Sequence, residues 1–364
     1  MKHDNNFDLL RLVAALDVLM QHAQHLNLVF PVWCSEIVIT LSGVPIFFVI
    51  SGFLVTGSFF GRDGDAPAYF ASRALRIYPA LWFNLAIIFT MLLAFGNLHA
   101  STIPTPYFVK FALAMLATGS ITLADRLSSF PLYWNESLPY FPGGALWTIV
   151  LELGFYLMVP LIYLAPVRRN RAAAVASVAF WIVVSYAMAS YLRGSPTGLM
   201  QIINPLTYFW IFGIGSLCNL LWPQIKFLFE GKFLIWIAAL AASRYFSGDV
   251  EGPAFTSPGP FATMLVLLLA GASLSFAFSM KGLARFLGGN DISYGVYLHH
   301  MPIVMILLAF GITGSVYSLV LLIGSTAAVS TLSWFAIERP ALRLKRNVRS
   351  PRTSSPDPAG TPAA

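Results

Sequence analysis

Apolar runs of roughly 20 residues recur from one end of this chain to the other. Each is long enough to cross a hydrocarbon core about 30 Å thick. Charged residues make up only 10% of the chain, where a soluble domain carries about 25%, and apolar residues make up 57%. The expected fold is therefore an all-α integral membrane protein. It is a bundle of about ten transmembrane helices, with spans near 8–30, 36–59, 76–96, 144–165, 173–192, 201–222, 232–247, 260–279, 290–310 and 315–337. The stretch 97–143 is apolar at its centre but interrupted by Ser, Thr and Gly, so a re-entrant or interfacial segment is expected there rather than a full span. Residues 1–340 form one membrane-embedded domain, and the basic, Pro- and Ser-rich tail 341–364 is expected to be disordered and cytoplasmic.

Charge sets the orientation. With the N-terminus in the cytoplasm, 18 of the 22 Lys and Arg residues fall on the inner side. Only Lys110, Arg126, Arg193 and Arg244 fall outside. A full span through 97–143 would put Arg168, Arg169 and Arg171 outside, against the positive-inside rule. The net charge of +7 is explained by this bias, and no nucleic-acid partner is expected. Asp8, Arg11, Asp17 and His22 interrupt the first apolar stretch, which is therefore read as a retained span, not a cleaved signal. Cys34 and Cys218 are expected at opposite ends of the bilayer, with no disulfide, and no metal spacing appears.

Ionisable residues inside spans are costly and mark function. At about 100° per residue, Arg11 and His22 point the same way to within about 20°, with Asp8 and His25 on that side and Asp17 opposite. Arg11 and His22 lie about 16 Å apart along the axis, Arg11 near the cytoplasmic surface and His22 past the midplane. A cation at that mouth suits a phosphate-bearing donor, and a deep His suits proton removal from a hydroxyl. A buried structural network is the competing reading. Arg73 and Arg76 share one face at the start of the third span, either as a phosphate clamp or as topology-setting charge. Glu152 and His300 are expected at a depth similar to that of His22, as a shared cavity requires.

The same residues carry a family resemblance. Phe7-Asp-Leu-Leu-Arg11 with His22 eleven residues on, Phe47-Phe-Val-Ile-Ser51-Gly-Phe53, Arg73-Ala-Leu-Arg76, Trp147-Thr-Ile-Val-Leu-Glu152 and Ser293-Tyr294-Gly-Val-Tyr-Leu-His-His300-Met-Pro302 occur in order. Together they resemble the acyltransferase-3 family of bacterial membrane proteins that O-acylate polysaccharides. The resemblance implies an inner-membrane O-acetyltransferase with both termini cytoplasmic. It uses acetyl-CoA as co-substrate and no permanently bound cofactor or metal. Arg11, Arg73 and Arg76 bind the donor. His22 is the central catalytic residue, with Glu152 orienting it or the acceptor, and Asp8, Ser51, Trp147, Tyr294 and His300 in support. The acceptor is a glycan or lipid-linked glycan, and polysaccharide-assembly proteins are candidate partners. Asp17 and Gly154 depart from many relatives, which have an apolar residue and a Gln at those places. Some relatives carry a fused soluble domain, so this chain is expected to act alone or with a separate one. The alternatives are a glycan transporter or flippase, whose midplane would also hold polar groups, and transfer of another acyl group such as succinyl.

Overall fold

A computed structural model describes residues 5–28, 37–38, 40–61, 65–192, 204–247, 258–280 and 282–344. Cys34 and the stretch of tail from 345 onward lie outside these residues. Among the described residues the regular structure is all helical, with no strand. The main elements are α1 (Phe7–Ala23), α2 (Gly43–Phe60), α3 (Ala66–Ala94), α4 (Pro106–Thr118), α5 (Ile121–Ser128), α6 (Trp147–Ile162), α7 (Arg171–Leu192), α8 (Pro205–Ile225), α9 (Phe233–Ser247), α10 (Pro260–Ser279), α11 (Ser293–Ala309) and α12 (Val316–Ser333). A π-helical turn, Trp334–Glu338, and a short helix, Arg339–Leu344, continue α12.

Seven helical stretches are long and apolar enough to cross a membrane: Gly43–Phe60, Ala66–Ala94, Gly144–Ile162, Arg171–Leu192, Pro205–Leu228, Pro260–Ser279 and Val316–Leu344. The stretches Phe233–Phe246 and Ser293–Ala309 are apolar but shorter. Helix α1 has 17 residues and carries Asp8, Arg11 and Asp17. Large apolar side chains such as Leu157, Leu161, Phe180, Val183 and Val320 point outward and are exposed. An outer surface of this kind is suited to lipid.

Helix ends follow local chemistry. Asp65 accepts from Ala68 N at 3.0 Å and starts α3, and Asn204 accepts from Leu206 N at 3.0 Å and starts α8. Asp17 performs this task across helices. Its Oδ2 accepts from Gly43 N at 2.7 Å, satisfying the first amide of α2, and from Gln21 Nε2 at 2.8 Å. This is why an acid stands on the side of α1 opposite the Arg11 stripe.

Small residues let the central helices touch. A Cβ on Gly52 would lie 1.9 Å from the Phe212 carbonyl oxygen, and one on Gly215 would lie 2.0 Å from that of Val49. Helices α2 and α8 thus pack backbone to backbone, and Thr56 Oγ1 donates to Ser216 Oγ at 2.8 Å across the seam. A Cβ on Gly154 would already lie 2.1 Å from Pro205 Cγ, which leaves no room at this position for the Gln of many relatives.

The segment 97–143 leaves and rejoins the bundle at one end of α3. Helix α4 runs back along α3, with Phe89 against Phe108, Trp82 Nε1 donating to Leu116 O at 2.9 Å and the Tyr78 hydroxyl to Ala117 O at 3.1 Å. The chain then turns and returns, and Asn135 Nδ2 donates to Phe95 O at 2.6 Å. The segment expected to be re-entrant or interfacial is built around a helical hairpin, and its Ser, Thr and Gly residues do not leave it without helix. Those residues are caps: Thr105 and Ser120 accept from Phe108 N and Leu123 N, and Gly119 takes φ +71° to end α4.

Candidate active site

Helices α1 and α11 run side by side in parallel. Arg11 meets Asp291 just before α11, His22 meets His300, and Leu26 O accepts from Gly314 N at 2.8 Å. Helix α3 joins them in parallel, and α6 runs antiparallel. The four helices with α2 enclose a pocket lined by Arg11, Ser51, Arg73, Arg76, Thr148, Glu152, Tyr156, Tyr294 and Tyr297, among others.

The cations in this pocket are held differently. Asp291 Oδ2 accepts from Arg76 Nη2 at 2.6 Å and from Arg11 Nη1 at 3.2 Å. Arg11 Nη1 also donates to Asp8 Oδ1 at 3.0 Å. Burial opposes the charge on Asp291, but Arg76, Arg11 and the Ser293 hydrogen bonds outweigh it and hold this carboxyl below the usual carboxylate range. Arg73 stands apart. Its guanidinium carbon lies 5.4 Å from the Tyr156 ring centre and 5.7 Å from that of Tyr69. Its Nε is buried without a hydrogen-bond partner. Glu152 Oε1 accepts from the Tyr156 hydroxyl and from Ser51 Oγ at 3.4 Å. Tyr294 stacks on Arg76, centroid to Cζ 5.6 Å, and donates to Ile77 O at 3.2 Å.

The pocket lining stops at Thr148 and Tyr297. The Tyr297 hydroxyl donates to Ala145 O at 2.7 Å and meets Thr148 Oγ1 at 2.5 Å. Behind it, the Tyr297 ring touches His300, centroids 6.2 Å apart, and His300 Nε2 lies 3.1 Å from His22 Nδ1. His300 Nδ1 faces Val296 O at 3.1 Å, and a carbonyl only accepts. In the neutral rings Nδ1 of His300 therefore carries the proton and its Nε2 is an acceptor. His22 Nδ1 sits between that acceptor and Val18 O at 2.9 Å, so it carries a proton too. The lone pair of His22 is left on Nε2. His25 stacks beside His22 at 6.1 Å, and the exposed Tyr140 lies 5.5 Å from His25.

The structure brings together Arg11, Arg73, Arg76, Ser51, Glu152 and Tyr294 in one group, and His22 with His300 in another. It does not bring Glu152 to His22. Thr148, one turn before Glu152 on α6, meets Tyr297, so Glu152 lies on the Arg11 side of that tyrosine. Equal depth counted along separate helices missed this, because the helices start at different heights. Trp147 packs on Tyr208 at 5.8 Å, away from both groups. Sequence reasoning passed over Asp291, Tyr156 and Tyr297. Buried arginines that converge require counter-charge, and Asp291, two residues before Ser293, supplies it to Arg11 and Arg76.

The profile of the acyltransferase-3 family, described as an acyltransferase domain, matches residues 4–337, and the chain belongs to this family of membrane acyltransferases. It is similar to Nodulation protein 10 of Rhizobium leguminosarum bv. viciae, 34% identical over 97% of each chain. It is also similar to O-acetyltransferase OatA of Staphylococcus aureus, 22% identical over 82% of this chain and 52% of that one. The putative peptidoglycan O-acetyltransferase YrhL of Bacillus subtilis is 24% identical over 82% of this chain and 50% of its own. The chain thus spans about half the length of the latter two. No solved structure matches. Membership makes the protein an enzyme that transfers acyl groups, in place of the glycan transporter or flippase that midplane polar groups would also suit.

Proposed function

We propose that the protein moves an acetyl group from cytoplasmic acetyl-CoA to a hydroxyl of a glycan or lipid-linked glycan. The observation that carries this reading is the order of two groups of side chains along α1. An arginine-lined pocket opens at the Arg11 end, and the His22–His300 pair lies behind Tyr297. Phosphates of coenzyme A match the arginines, and the thioester arm is the slender part that reaches past Tyr297 toward His22. The acceptor oxygen attacks the thioester carbonyl. His22 Nε2 takes its proton, the C–S bond breaks, and the thiolate leaves to be protonated in turn. In a variant of the same chemistry His22 Nε2 first carries the acetyl group itself. Glu152 acts in the donor pocket, through Tyr156 and Ser51. His25 and Tyr140 mark where the acceptor arrives.

In this reading α1, α9 and α11 cross the bilayer with the seven longer stretches, giving ten crossings in the bacterial inner membrane, both termini cytoplasmic. Helices α4 and α5 dip from the outer face without crossing. Polysaccharide-assembly proteins are candidate suppliers of the acceptor. The test is purified protein in vesicles with radiolabelled acetyl-CoA supplied on one side. Label is expected in a glycan acceptor extract, and none with His22→Ala. Equal transfer by a correctly inserted His22→Ala variant, or labelling only with succinyl-CoA, would overturn the respective part.

A further inference from the structure

The three arginines of the pocket divide into a locked pair and an open cation. The carboxylate of Asp291 is used at both oxygens. Oδ2 bridges Arg11 and Arg76, and Oδ1 accepts from Ser293 N at 3.3 Å and from Ser293 Oγ. The loop that presents it is built to stay in place. Gly288 and Gly289 take φ +58° and +74°, which a side chain rarely tolerates. Asn290 Oδ1 then accepts from Trp334 Nε1 at 3.0 Å, and its Nδ2 donates to Leu287 O at 3.1 Å. At the other end of the loop, Asn6 Oδ1 accepts from Ala284 N at 2.9 Å, tying it to the start of α1. Asp291 is 8% exposed, so its ion pairs are little screened by water.

Arg73 is the opposite case. No carboxylate lies within 4.0 Å of it among the described residues, where Arg11 and Arg76 each have at least one. Two tyrosine rings lie with their centres 5.7 and 5.4 Å from the guanidinium carbon without neutralising it, and Nε has no acceptor. A buried donor in this state costs free energy unless a ligand supplies the missing acceptor.

We propose that Asp291 is a positioning residue that clamps Arg11 to Arg76, and that Arg73 alone is the open cation that binds a donor phosphate. The inference rests on the proposed coenzyme A donor. It assigns unequal roles to the Arg73 and Arg76 pair. Arg11 and Arg76, held by one carboxylate, brace α1, α3 and the start of α11 around the thioester path. Arg73 supplies the fork that a phosphate oxygen pair fits.

The test uses the full chain in detergent, with coenzyme A and pyrophosphate as binding probes and acetyl transfer as the second readout. Arg73→Gln is expected to weaken both probes about tenfold or more, with Arg73→Lys between, since an ammonium keeps the charge but loses the fork. Asp291→Asn is expected to bind coenzyme A as well as the parent or more tightly, because a negative charge leaves the pocket, while turnover falls about tenfold or more. A residue that only stabilised the fold would lower the amount of active protein and leave turnover per folded molecule unchanged. If Asp291→Asn fails to insert, Ser293→Ala, which strips the Oγ donor from the same carboxylate, is expected to show the same split in smaller measure. Loss of coenzyme A binding in Asp291→Asn equal to that in Arg73→Gln would overturn the division. So would unchanged binding in Arg73→Gln. Pyrophosphate binding that needs Arg73, with no binding of coenzyme A by the parent, would sink the donor reading and leave the division standing. Binding of neither probe would overturn both.

Discussion

His300 Nε2 accepts a hydrogen bond from His22 Nδ1 across 3.1 Å, and so holds the His22 ring with its basic nitrogen on the other side. His22→Ala is expected to lower acetyl transfer by about 10²–10⁴-fold, the range for a lost general base, at normal abundance. His300→Ala is expected to cost less, because Val18 O still holds the Nδ1 proton of His22 at 2.9 Å. A His300→Ala loss as deep as that of His22→Ala would instead make His300 the base. His25→Ala is expected to raise the acceptor KM and spare the donor KM, read from initial rates with each substrate varied.

Tyr297 lies between the arginine-lined pocket and the His22–His300 pair, bonded to Ala145 O and Thr148 Oγ1. Tyr297→Phe removes both bonds and keeps the ring. The acyl arm passing this side chain is then expected to be held less firmly, so that acetyl-CoA is hydrolysed more often without acceptor. The measurement is the ratio of thiol released to acetyl transferred. An unchanged ratio would mean that the Tyr297 hydroxyl does not position the arm.

Asp291 gives a pH signature of defined sign. Its carboxyl is held below the usual range of about 4, so its contribution to stability is complete above that range and is lost only as pH falls through its lower folded value. The stability gap between the parent and Asp291→Asn is expected to be flat from about pH 8 to pH 5 and to close in stronger acid. Thermal unfolding in detergent across that range checks it. A gap that closes near neutral pH would mean that another group controls the clamp.

Gly154 is a packing glycine, since an added Cβ would lie 2.1 Å from Pro205 Cγ. Gly154→Gln is expected to destabilise by about 1–3 kcal/mol through overpacking of α6 on α8. Gly324 on α12 has no heavy atom within 4 Å of the same position, so Gly324→Ala serves as the neutral control. Equal unfolding midpoints for the two variants would remove the packing account of Gly154.

The hairpin α4–α5 is tested by single cysteines at Ser101 and Ser137, both exposed, in a background lacking Cys34 and Cys218. Both are expected to react with an impermeant thiol reagent in intact cells. Reaction of Ser101 alone, with Ser137 reached only after permeabilisation, would make 97–143 a full crossing.

Much of the molecule was legible in the chain alone. Recurring apolar length can be satisfied only by helices in lipid, because backbone groups there must bond internally. The turn angle of α1 put Arg11 and His22 on one stripe and Asp17 on the other side, since that depends only on helix geometry. The five motifs named the family. What the sequence could not carry is distance between helices. Depth counted along separate spans brought Glu152 to His22, but the vertical offset of α6 against α1 placed Tyr297 between them. Thr118, Gly119 and Ser120 read as breaks in a span because a cap and a breaker are the same residues until the chain is seen to turn. Asp291 had no local signal of its own. Its role exists only because α1, α3 and the start of α11 converge, and a buried arginine pair is held together only where the tertiary structure delivers a carboxylate between them.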